Sequence, residues 1–155
     1  IGNYKVKCAI GKRGIKIKKK EGDLITPKGE FKIQCIFYRK DRVNNFTSKI
    51  KKIAIKKNMG WCDDPRSKEY NKLINLPFNH SYEKLFKKGN IYDIILVLNY
   101  NMNPIKKNKG SAIFIHVTKN NYKKTAGCIA IKKIELLKIL KEIKINTKVK
   151  IGDQK

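Results

Sequence analysis

The chain has 155 residues, 41% of them apolar, enough for one ordinary buried core, and no run reaches the ~18 apolar residues of a membrane span. Its 38 basic and 12 acidic residues give a formal net charge of +26, a field that attracts nucleic acid, anionic lipid or an anionic wall polymer without choosing among them. Lysine supplies nearly all of it, Arg13, Arg39, Arg42 and Arg66 being the only arginines, so the planar forks that read nucleic-acid grooves are scarce and no specific nucleic-acid partner is expected.

In chain order, residues 4–10 alternate Val6, Cys8 and Ile10 against Lys5, Lys7 and Ala9, the two-residue period of a half-buried strand, and residues 11–14 turn the chain. Thr26, Pro27 and Gly29 signal a second turn before the β-branched runs 31–38 and 50–55, both read as strands. From 58 to 89 the periodicity disappears. Gly60, Pro65, Pro77 and several asparagines interrupt Trp61, Tyr70, Phe78, Tyr82 and Phe86, and the segment reads as a long aromatic loop, a form usually kept for function. Residues 92–99 are nearly all apolar and predict a central strand. Residues 111–117 predict another, with Ala112, Phe114 and His116 on one face and Ile113, Ile115 and Val117 on the other. Between 132 and 143, Leu136, Ile139, Leu140 and Ile143 recur at helical spacing, and 147–151 closes with a strand. About six strands and one amphipathic helix make a mainly β fold, read as a single domain over residues 1–155.

Cys8, Cys35, Cys62 and Cys128 form no CxxC pair, and only two histidines accompany them, so no metal site is expected. A single bridge between Cys8 and Cys35 stays open for an oxidising compartment. The informative stretch is 111–131, SAIFIHVTKNNYKKTAGCIAI: a strand ending in His116, a polar loop, then Thr125, Ala126, Gly127 and Cys128. A thiol needs a base or a positive neighbour to become a thiolate at neutral pH, and His116 is the natural supplier across such a loop. Small residues before Cys128 leave the N–H groups of Ala126, Gly127 and Cys128 available as oxyanion donors. Against this stands the plain alternative of a buried cysteine and a satisfied core histidine, which spacing alone does not exclude.

A histidine, a loop, then Ser or Thr, any residue, Gly, Cys and Ile or Val resembles the signature of the L,D-transpeptidase catalytic domain, the YkuD family. The resemblance extends to the TPKGEF turn at 26–31, to YRKDR at 38–42, GWCDDP at 60–65, LPF at 76–78 and Tyr92-Asp93, and so covers nearly the whole chain. It implies a β-sandwich-like fold in which Cys128 attacks a stem-peptide carbonyl, His116 manages the proton, and peptidoglycan stem peptides serve as donor and acceptor, with no cofactor. Water in place of the acceptor would make the site an L,D-carboxypeptidase or an amidase of wall-linked protein; a basic nucleic-acid-binding domain is the alternative of another class. Relatives often carry a histidine where Ala126 stands and a polar residue where Ala130 stands. The TxGCxA form resembles a branch that joins L-Ala to diaminopimelate, a 1,3 crosslink. Since Val117 replaces a small residue, a backbone carbonyl near Val117 or Thr118 would have to orient the imidazole. Arg42 is the candidate for a stem carboxylate, Asp63 or Asp64 for an ammonium, and Trp61, Tyr38 and Thr125 for the groove. The resemblance places the protein in the periplasm or cell envelope, on an anionic surface, as a monomer.

Overall fold

The computed structural model describes residues 5–152. The chain enters with β1 (Cys8–Ala9), the short parallel pair β2 (Ile15–Lys16) and β3 (Thr26–Pro27), and the long β4 (Gly29–Tyr38), followed by β5 (Lys52–Ala54). Next come β6 (Met59–Cys62), β7 (Leu73–Asn75) and β8 (Tyr82–Lys84), then β9 (Ile94–Leu98) and β10 (Phe114–Val117). The last elements are β11 (Ile129–Ile131), the helix α1 (Lys133–Glu142) and β12 (Lys148–Ile151).

The main sheet has seven strands in the order β1-β11-β10-β9-β4-β12, with β5 also paired to β4. β9 runs fully buried through its centre, as a near-continuous apolar run requires. Each face carries a core. Ile94, Leu96 and Leu98 of β9 and Ile113, Ile115 and Val117 beside and along β10 pack with Leu136, Leu140 and Ile143 under the helix. Ile95, Val97 and Phe114 point the other way, against Met59, Trp61 and Leu85. β4 serves both faces although Ile33 and Ile36 share one, because the register shifts between Ile33 and Cys35 and moves the alternation by one residue.

The mainly β expectation holds, and the strands at 31–38, 50–55, 92–99 and 147–151 and the helix at 132–143 appear within a residue or two of where periodicity put them. The expectation of a loop over 58–89 does not hold. That segment contains the three-stranded sheet β7-β6-β8, which covers the second face and makes the sandwich. Its strands are three or four residues long and β6 is buried throughout, so no alternation could show. The expected strand at 111–117 begins only at Phe114, because Gly110 and Ala112 take positive φ values of 105° and 51°. At the N-terminus only Cys8 and Ala9 pair; Tyr4, the start of the expected strand, lies outside the described residues. A Cys8–Cys35 bridge is ruled out, since β11, β10 and β9 stand between β1 and β4, an offset of roughly 19 Å. All four cysteines are free thiols.

Candidate active site

β10 and β11 are parallel neighbours, with Ile115 opposite Ile129 and His116 opposite Ala130. One residue back, Cys128 therefore stands beside Phe114, on the same face as His116. The two are diagonal neighbours, one strand across (~4.8 Å) and two residues along (~6.6 Å), a gap that an imidazole and a thiol can reach over. Ala130, directly opposite His116, is small enough to leave the ring room. Both side chains line a cavity of about 740 Å³, together with Lys12, Tyr92, Thr125 and Ala126.

His116 Nδ1 lies 2.9 Å from the Val117 carbonyl oxygen. A carbonyl only accepts, so Nδ1 carries the hydrogen and Nε2 keeps its lone pair as the basic atom of the ring. The carbonyl required by a Val at position 117 is thus the one Val117 itself supplies. Tyr92 holds the ring by an edge contact at 5.4 Å between centroids. Burial, helped by the charges of Lys87 and Lys119, lowers the His116 pKa against the opposing pull of the Val117 carbonyl and Glu83.

Cys128 is half-buried, and its Sγ accepts from the Phe114 N–H at 3.4 Å while its S–H donates to the Ala112 carbonyl at 3.1 Å. Burial pushes the thiol up to about 12, which the Phe114 N–H and Lys18 only partly offset. At neutral pH such a thiol stays protonated, so attack requires the proton to leave in the same event. An acceptor nitrogen on the same cavity wall is what that chemistry needs.

The loop before Cys128 is fixed by Thr125. Its hydroxyl accepts from the Gly127 N–H at 3.1 Å and donates to the Cys128 carbonyl at 2.5 Å. The Gly127 N–H is therefore committed to Thr125 in this conformation. Gly127 has a φ of 147°, and a Cβ there would stand 2.9 Å from the Ile25 carbonyl, so the position needs glycine for space as well as for backbone freedom.

The remaining expected site residues separate. Arg42 does not line the cavity; its guanidinium donates to the carbonyls of Lys88 and Gly89 and to Asp93, which ties the β4–β5 connection to the start of β9. Trp61 is a core residue, 5% exposed, packed edge-on against Phe114 and donating Nε1 to Asn71. Tyr38 packs against Phe46 on the helix side of the sheet, away from Cys128. Asp64 is held well below the usual carboxylate range by Arg66, with His80 also in contact, so it has no free edge. Asp63 alone of this group comes to Cys128, in a second, smaller cavity. Sequence reasoning missed Glu83 and Lys18, which the fold brings to the same sulfur. It also missed Asn71, whose Oδ1 accepts from the Ala112 N–H at 3.1 Å and so holds the strained residue whose carbonyl meets Cys128.

A family model for the L,D-transpeptidase catalytic domain, YkuD, matches residues 2–151 of the 155. The chain belongs to the YkuD family. No curated protein matches it at a significant level. Membership makes this YkuD domain one of a family of cysteine-dependent transferases that act on peptidoglycan peptides, generally on the cell wall outside the cytoplasm. Among the described residues no helix is long and apolar enough to cross a membrane.

Proposed function

We propose that this YkuD domain is a single catalytic unit that crosslinks peptidoglycan stem peptides through a thioester on Cys128. The observation that carries the reading is the diagonal placement of Cys128 and His116 on one cavity wall, with the His116 tautomer set by the Val117 carbonyl. His116 Nε2 takes the thiol proton as Sγ attacks the donor carbonyl. The C–N bond of the donor then breaks, and the departing amine takes that proton from His116. The N–H groups of Cys128 and Ala126 hold the oxyanion; Gly127 joins them only by leaving Thr125, so its first part is to let the backbone pass Ile25. An amine of a second stem attacks the thioester, the new C–N bond replaces C–S, and the sulfur leaves with a proton returned through His116.

The TxGCxA sequence at 125–130 supports the 1,3 crosslink, L-Ala to diaminopimelate, as the product. Water in place of the amine gives the carboxypeptidase or amidase outcome at the same sulfur. The basic surface suits a monomer working in the periplasm or envelope against an anionic polymer. Cys128→Ala should abolish the covalent adduct that intact-protein mass spectrometry detects with muropeptide donors, and crosslinking that persists in this variant overturns the assignment. Product analysis after incubation with purified sacculi separates crosslinking from hydrolysis.

A further inference from the structure

Lysine covers the surface of this protein, and among the described residues Lys18 is the only lysine that is buried. It stands in the connection between β2 and β3, where its ammonium meets Asp23 at 2.5 Å, the two side chains being 2% and 3% exposed. The carboxylate does not depend on it for hydrogen bonds. Asp23 already accepts from the main-chain N–H groups of Lys19, Lys20 and Ile25, at 2.8, 3.2 and 3.1 Å. Taking an ammonium out of water is costly, and closing such a turn does not require one.

The side chain reaches the two segments that frame Cys128. Its Nζ donates to the Ile25 carbonyl at 3.4 Å, and that oxygen is the one Gly127 passes so closely that a Cβ there would stand 2.9 Å away. On the other side, a Cβ on Gly110 would run into Cδ and Cε of the Lys18 stem. Gly110, at a φ of 105°, leads into the segment that ends at the Ala112 carbonyl, the acceptor of the Cys128 S–H. Asp23 and Ile25 occupy two of the three ammonium hydrogens. Lys18 also lines the small cavity next to Cys128, where the other charged side chains among the described residues, Glu21, Asp63 and Glu83, are all acidic. Burial raises the thiol, and of the two groups acting against it, the Phe114 N–H and Lys18, only Lys18 carries a charge.

We propose that Lys18 is a positioning residue for the reaction at Cys128: a buried ammonium, fixed by Asp23, that braces the Ile25 and Gly110 segments around the nucleophile and favours the anion that forms on its sulfur. This rests on the transpeptidase reading and adds to it a source of charge within the protein wall. The anion develops twice, when His116 takes the thiol proton and when the C–S bond of the thioester breaks. Because Asp23 holds the ammonium in place beforehand, no reorganisation accompanies either step. The mobile lysines at the surface are screened by salt, whereas a cation in a dry wall is not.

The test uses the full chain and reads alkylation of Cys128 by iodoacetamide at pH 8, resolved by peptide mass spectrometry, with exposed Cys8 as the control in the same molecules. Lys18→Met keeps the length of the stem and removes the charge, and should slow Cys128 about tenfold while Cys8 changes less than twofold. Asp23→Asn leaves the ammonium without its counter-charge and should speed Cys128 about threefold or more. Lys18→Met/Asp23→Asn, which leaves no buried charge behind, should stay slower than wild type. A structural role predicts no such opposition, since loosening the loop moves Cys128 in the same direction in both single variants. That outcome overturns the proposal, as does an unchanged rate in Lys18→Met or a double variant as fast as wild type. With a muropeptide donor, Lys18→Met should lower the rate constant of adduct formation about tenfold with KM within twofold. Absence of any donor adduct on the wild-type protein overturns the transpeptidase reading, while the opposed alkylation rates still decide the part played by Lys18.

Discussion

The reactivity proposed for Cys128 depends on two groups whose environments hold them neutral. Burial keeps the thiol protonated and His116 unprotonated, so the resting pair is thiol and imidazole in place of a preformed thiolate–imidazolium. The sign of the pH effect follows. The ring must be neutral to accept the proton, and its pKa lies below the ordinary histidine value, so kcat/KM should be lost only as pH falls through that lowered value. An acid limb with its midpoint clearly below about 6.5 in a pH profile of acylation is the expected outcome; a midpoint above it contradicts the assigned environment. His116→Asn should slow acylation by about 10²- to 10⁴-fold with the fold intact by circular dichroism. This much of the site could be read from residues 111–131, because histidine, glycine and cysteine are the types such chemistry needs. Glu83 could not be found, since it sits in a segment without periodicity and reaches Cys128 only through the pairing of β6 with β8.

Among elements, the β7-β6-β8 sheet is what sequence reading lost, and it does more than cover a core. Asn71, in the turn between β6 and β7, accepts from Trp61 Nε1 and from the Ala112 N–H, and donates to the carbonyls of Tyr100 and Asn101. One amide thus ties the covering sheet to the segment that presents its carbonyl to Cys128. Asn71→Ala should cost about 2–4 kcal/mol in denaturant unfolding, because several buried groups lose their partner at once, and should slow adduct formation in the protein that remains folded. Full-speed acylation in that variant would show that Ala112 holds its position unaided. Long strands and the helix were legible because each is amphipathic or continuously apolar over several residues. Arg42, Trp61 and Tyr38 misled because an arginine fork or an aromatic ring fits a substrate and a core equally well, and only the fold decides which one it meets.

At the scale of the whole molecule, 38 basic residues spread over nearly every segment make attraction to an anionic polymer general and screenable. Cosedimentation with purified sacculi should therefore weaken several-fold as salt rises from about 0.05 M to 0.5 M, where the Debye length shrinks to a few ångströms. Binding indifferent to salt would assign attachment to specific contacts instead. The parallel seam between β10 and β11 has a consequence for how such a protein can diversify. Cys128 and His116 share a face because of a register counted in single residues, whereas the residues that join the strands leave the sheet and return. Insertions or deletions around 118–124 can retune the cavity mouth and spare the reacting pair, but one residue added between Cys128 and Ile131 would rotate the sulfur into the layer beneath the helix.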